Sequence, residues 1–102
     1  MRKSEEVASL IIRLFAEKGV AQGKQNGFKF AGATPNGAHV LRDSGAIWTI
    51  KKEQIVRAVE AVRQEPAIYD AGPARLKPYI NERVQSPLWA MLRLLSLDKI
   101  VS

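Results

Sequence analysis

The stretch AHVLRDSGAIWTI, residues 38–50, carries the strongest fold signal in the chain. Its centre, DSG at residues 43–45, fits a three-residue hairpin loop in which Gly45 takes the left-handed conformation of a bulged turn. The flanks alternate between apolar and polar residues, so pairing across this loop fixes which side chains share a face. The predicted pairs are Ala38 with Ile50 and Val40 with Trp48 on one face, and His39 with Thr49 and Leu41 with Ile47 on the other. The first of these faces is the better candidate for burial.

Helical patterns lie on both sides of the hairpin. The first helix is predicted from about Glu5 to Lys18, with Ser4 as its N-cap and Gly19 just beyond its end. The second is predicted to begin at Lys51 or Lys52 and to stop before Pro66, because its apolar residues recur at helical spacing. Its remaining positions carry mixed charge, which is typical of a solvent-facing side.

The segment between the first helix and the hairpin is rich in glycine, and only GFKFAG, residues 27–32, predicts a strand there. Phe28 and Phe30 would share one face of that strand, so we expect a pair of core aromatics. These two residues and Gly27 also occur in the aromatic motif of RNA-recognition domains. Asn26, Lys29, Ala31 and Ala33 depart from that motif, and the sequence is not recognised as a member of any family.

Two shorter helices are predicted after Pro66. One begins at Pro78 and reaches about Val84, and the other is capped by Ser86 and Pro87. The second of these is apolar almost all the way round, which indicates burial on several sides.

Together these patterns predict a single α+β domain over residues 1–102. It consists of an N-terminal helix, a small antiparallel sheet of about three strands including the 38–50 hairpin, and three helices packing on the sheet. A chain of 102 residues suits one hydrophobic core.

Composition limits the chemistry. The chain has no cysteine and one histidine, His39, so disulfides, thiolate metal sites and cysteine nucleophiles are excluded and no metal or cofactor is expected. The carboxylates are scattered or charge-paired, and no serine lies in a nucleophile motif, so we expect a protein that is not an enzyme. No apolar run is long enough to cross a bilayer, and a cytoplasmic location is expected.

Charge is the strongest functional signal. The formal net charge is +6 with a pI near 10.0, and no acidic residue occurs between Glu17 and Asp43. A basic surface attracts a polyanion through release of counterions, so the leading hypothesis is a small nucleic-acid-binding or regulatory protein. A mobile, solvated loop would explain the same lysines. The predicted binding residues are Lys18, Lys24, Lys29, Arg42, Lys51 and Lys52.

Two alternatives remain open. The apolar C-terminal helix could instead form a homodimer contact, with the interface at Trp89, Met91, Leu92 and Leu95. A third hypothesis is a small ligand bound in an aromatic pocket near Phe28, Trp48 and Tyr69, although no motif supports it.

Overall fold

The computed structural model describes residues 2–102 and has the predicted α+β architecture. Four strands follow the first helix, and the remaining helices follow the last strand. In chain order the elements are α1 (Ser4–Lys18), β1 (Val20–Gln22), β2 (Gly27–Thr34), β3 (Gly37–Arg42), β4 (Ile47–Lys51), α2 (Lys52–Gln64), α3 (Ile68–Ala71), a 3-10 helix (Pro73–Leu76), α4 (Gln85–Leu92) and α5 (Leu97–Val101).

The 38–50 hairpin forms with the predicted register. All four predicted cross-strand pairs are present between β3 and β4. Arg42 donates its amide hydrogen to the carbonyl of Ala46, which closes the three-residue loop, and Gly45 has a φ of 89°. Its lack of a side chain makes this left-handed conformation inexpensive. A turn signal and two alternating flanks were therefore enough to fix the register.

The sheet contains four antiparallel strands in the order β1-β2-β3-β4, so the expectation of about three was one too low. The additional strand is β1. Gly19, with a φ of 77°, ends α1 and reverses the chain so that Val20–Gln22 can pair with β2. Ala21 lies opposite Phe28, and both are buried.

The core lies between the helices and one face of the sheet. α1 packs on α2, and α4 contacts α1, α2 and the first two strands. Phe28 is 1% exposed, and the ring of Phe30 meets that of Phe15 edge to face with their centroids 5.4 Å apart. The prediction that Phe28 and Phe30 are core aromatics is confirmed. Phe28 is consequently unavailable as an exposed platform for bases, and Phe30 packs against the core.

The short helix predicted at residues 78–84 is absent from the structure. Residues 78–84 form an irregular loop, and the nearby 3-10 helix ends at Leu76. Tertiary contacts hold this loop: Ile80 is buried, its carbonyl accepts a hydrogen bond from the side chain of Gln85, and Glu82 accepts one from Arg57. These contacts replace the hydrogen bonds that a local helix would have made.

The predicted last helix is divided into α4 and α5. α4 begins at Gln85 with Val84 in the N-cap position, so Ser86 is inside the helix and is not its cap. Ser96 has an extended backbone and precedes α5, while the carbonyl of Leu95 accepts a hydrogen bond from the Tyr69 hydroxyl at 2.6 Å. The break lets the apolar residues of this segment reach the core from two helices.

The first two helices lie close to their predicted bounds. α1 starts at Ser4, and Lys3 occupies its N-cap position, so the predicted cap at Ser4 is one residue too late. The side chain of Ser4 instead accepts a hydrogen bond from Arg63. α2 ends at Gln64, before Pro66 as predicted. No helix within residues 2–102 has the length and apolarity needed to cross a membrane.

Candidate nucleic-acid interface

The face of the sheet that points away from the helices is open to solvent. On its other face Ala21, Phe28, Ala38, Val40 and Ile50 are buried against the helices. The opposite positions of the same strands are exposed or half-buried. They are Val20, Gln22, Lys29, His39, Leu41, Ile47, Thr49 and Lys51. We call this side the outer face.

Negative charge is absent from all four strands. Residues 18–52, which comprise the sheet and its flanking residues, contain six lysines and arginines and a single acid, Asp43 in the hairpin loop. The rest of the chain has ten lysines and arginines against nine acids. Five of the six excess positive charges therefore belong to the sheet and its loops, one more than the acid-free segment alone contains.

Lys29 lies on the outer face of β2, an interior strand, close to the end of the sheet that carries the hairpin loop. It pairs with Val20 of β1 on one side and with Leu41 of β3 on the other, and Leu41 in turn pairs with Ile47 of β4. Val20 is 45% exposed and Ile47 is 62% exposed. Lys29 is thus an exposed cation within a row of aliphatic side chains that spans the sheet.

Lys24 and Arg42 both lie near Phe28, at the end of the sheet that carries the hairpin loop. Lys24 lines a cleft that also contains Phe28, and its ammonium donates a hydrogen bond to the carbonyl of Ala71 at 3.2 Å. Arg42 pairs with Phe28 across β2 and β3. Its guanidinium carbon lies 6.0 Å from the Phe28 ring centroid and 4.0 Å from that of Trp48.

Lys18 lies at the β1 edge, where it lines a groove together with Val20 and Arg93. Lys29 is in the row of Val20, so Lys18, Lys24, Lys29 and Arg42 all lie in the same half of the sheet. They do not share one face, since Arg42 is on the helix side and Lys29 is on the outer side.

Lys51 and Lys52 lie at the opposite end. Lys51 is four residues beyond Ile47, which places it roughly 14 Å along the sheet from the row of Lys29. These two lysines line a depression together with Glu5 and Glu53. The nearby carboxylates reduce the positive potential at this end. The structure therefore brings four of the six predicted residues into one half of the sheet. The other two, Lys51 and Lys52, lie together at the opposite end.

None of the six predicted cations forms an ion pair within residues 2–102. The three ion pairs in this part of the chain join Arg57 to Glu53 and Glu82, and Arg93 to Asp70. All are on the helical side of the molecule. No carboxylate in the described part of the chain therefore forms an ion pair with these six cations, although Glu5 and Glu53 lie beside Lys51 and Lys52.

The residues predicted for a homodimer contact are inside the monomer. Trp89 is 6% exposed, Met91 0%, Leu92 1% and Leu95 5%. A second copy could reach them only if the core opened. The apolar character of this segment is accounted for by the contacts of α4 with α1, α2 and the first two strands.

The aromatic-pocket hypothesis joined three residues that have different surroundings. Phe28 and Trp48 both lie near Arg42, whereas Tyr69 packs beside Arg93, with 4.6 Å between its ring centroid and the guanidinium carbon.

Within residues 2–102 no three histidine, cysteine or acidic side chains form a group suited to a metal ion.

Three residues near these cations were not among the predicted binding residues. His39 Nδ1 and Thr49 Oγ1 lie 3.0 Å apart on the outer face and present polar atoms between Lys29 and Lys51. Trp48 is only half-buried, although the sequence placed it on the core face. The predicted register identified the His39–Thr49 pair correctly, but it did not predict the partial exposure of Trp48.

Comparison with known proteins gives no relative from which to transfer a function: no protein-family model, curated protein or solved structure matches this chain.

Proposed function

We propose that this protein binds nucleic acid, without acting as an enzyme, through the outer face of its sheet and the adjoining loops. The observation that carries the proposal is the charge distribution: five of six excess positive charges lie in residues 18–52, and no strand carries an acid. Phosphate groups are the ligands that such a surface favours, because each neutralised phosphate releases counterions. The lack of cysteine is compatible with a cytoplasmic location.

Lys29 is the proposed central contact. It is exposed, lies on an interior strand of the sheet and has no acidic neighbour among its cross-strand partners. Lys24 extends the positive surface to the end of the sheet, and Lys18 extends it to the β1 edge. Lysines that contact phosphates position a nucleic acid without reading its sequence, so we expect binding that depends strongly on salt and weakly on base order.

The test is fluorescence anisotropy with labelled oligonucleotides at several salt concentrations. The parent protein should bind more weakly as salt increases, and Lys29→Glu should weaken binding and reduce the slope of log affinity against log salt by about 1. Lys24→Glu should act in the same direction.

Lys99→Glu is the matched control. Lys99 is exposed on α5, whose main contacts are with α2 rather than with the sheet, and the substitution changes the net charge by the same amount. If Lys99→Glu weakened binding as much as Lys29→Glu, the effect would come from total charge and the proposed surface would be wrong. Absence of any salt-dependent binding at low ionic strength would refute the function itself.

A further inference from the structure

The two tryptophans have different surroundings. Trp89 is 6% exposed, and its indole nitrogen donates a hydrogen bond to the carbonyl of Ile68 at 2.9 Å. Trp48 is half-buried and belongs neither to the buried core nor to the partly buried apolar side chains that pack against it. Its indole nitrogen has no hydrogen-bond partner within residues 2–102. Trp89 therefore has a structural role that Trp48 lacks.

The two arginines that stack on these rings differ in the same way. Arg93 lies over Tyr69 and Trp89, but it also forms an ion pair with Asp70 at 3.0 Å and donates to the carbonyl of Tyr69. Arg42 lies over Trp48 at 4.0 Å, and its guanidinium has neither a carboxylate nor a carbonyl partner within residues 2–102. Its five N–H donors are available to a ligand.

An arginine without a carboxylate partner, stacked on a partly exposed indole, can contact both a base and a phosphate of a nucleic acid. The indole offers a π-face for a base, and the guanidinium offers both a planar stacking surface and a charge for the neighbouring phosphate. Bases can reach such a platform only when they are unstacked from a duplex. Lys24 lies at the same end of the sheet and offers a second cation for the phosphates next to the base.

We infer that Arg42 and Trp48 form a base-stacking site and that the ligand is single-stranded nucleic acid. This inference rests on the proposed function and narrows it to strands with accessible bases. DNA and RNA share the base and phosphate groups involved. Oligothymidylate and oligouridylate are therefore both used in the test, together with a DNA duplex of equal length.

The first experiment measures affinity for the three ligands, each about 15 nucleotides long to cover one binding site. The parent should bind at least one single strand more tightly than the duplex. Trp48→Leu retains an apolar partner for Val40 but removes the ring, and it should weaken single-strand binding about 5- to 100-fold. Its duplex affinity should stay within about twofold, since phosphate contacts are retained. The single strand that binds more tightly shows whether the preferred ligand is DNA or RNA.

The second experiment uses intrinsic fluorescence and is independent of any loss of stability in Trp48→Leu. Trp48→Phe retains an aromatic ring and leaves Trp89 as the only tryptophan. Oligothymidylate should quench the parent, and that quenching should be absent from Trp48→Phe while the affinity measured by anisotropy falls less than in Trp48→Leu. A platform that stacks bases predicts both results.

The outcomes separate this inference from the proposed function. Equal affinity for single strands and duplex, with no Trp48-dependent quenching, would overturn the stacking site. If Lys29→Glu still weakened binding in that case, phosphate binding by the sheet would stand. If neither single strands nor duplex bound in a salt-dependent way, both proposals would fail.

Discussion

The guanidinium of Arg57 lies 2.6 Å from a carboxylate oxygen of Glu82. This contact joins the middle of α2 to the irregular loop before α4. The buried side chain of Gln54 donates to the same carboxylate oxygen at 3.4 Å, and its own carbonyl accepts from the amide of Lys51. Two adjacent turns of α2 therefore anchor the loop in which a helix had been predicted.

This arrangement predicts a pH dependence of stability. The hydrogen bond from Arg57, followed by those from the backbone amide of Glu82 and from Gln54, lowers the pKa of Glu82 from 4.5 to about 2. The folded state thus favours the ionised carboxylate. Its contribution is complete above the unfolded pKa and is lost as the pH falls from about 4.5 to about 2.

Glu82→Gln should consequently lower the thermal midpoint at pH 6 and have no such effect near pH 2. The loss should be small, because the Glu82 side chain is 43% exposed and solvent screens the pair. Thermal unfolding followed by circular dichroism at both pH values is the measurement. Glu53→Gln is the control, since Glu53 is 72% exposed and lies 3.9 Å from Arg57. A Glu82→Gln effect that persisted unchanged at pH 2 would contradict the assignment.

Gly37 is predicted to be intolerant of substitution because of close packing between β3 and β4. A Cβ atom there would lie 1.9 Å from the carbonyl oxygen of Ile50, so the strands would have to separate. Gly37→Ala should lower the free energy of unfolding by about 1–3 kcal/mol, as overpacking typically does. Urea denaturation measures this change.

Gly27→Ala provides the comparison within the same sheet. A Cβ at Gly27 would have its nearest neighbour 3.5 Å away, which is ordinary contact, and Gly27 has no positive φ. This variant should be neutral or slightly more stable, because alanine reduces the freedom of the unfolded chain. Equal destabilisation by both substitutions would show that the Gly37 contact is not responsible.

Leu92 tests the dimer hypothesis against the observed burial. Since its side chain is 1% exposed, Leu92→Ala should cost about 2–5 kcal/mol of unfolding free energy without changing the molecular mass in solution. Leu94→Ala should cost less, because Leu94 is only half-buried. Denaturation combined with light scattering at high micromolar concentration gives both quantities. A parent dimer that Leu92→Ala converted into a folded monomer would support the interface hypothesis instead.

The sequence alone predicted those parts of the fold that depend on local interactions. The loop at residues 43–45 and the alternating flanks fixed the β3–β4 register, and helical periodicity with Gly19 and Pro66 fixed α1 and α2 nearly to the residue. Composition also located the acid-free segment. Each of these features depends on residues a few positions apart, whose preferences act before any long-range contact forms.

The features that the sequence did not predict depend on tertiary contacts. β1 has only three residues, too few to show a period, and it exists because Ala21 can be buried opposite Phe28 beneath α4. The 78–84 loop and the break before α5 arise from contacts with Arg57 and Tyr69, which are distant in sequence. The fold also decides that Lys51 lies at the other end of the sheet from Lys29. It likewise leaves Trp48 outside the core, with Arg42 stacked on its ring. Such contacts depend on which surfaces the packed helices cover, and no local pattern encodes that.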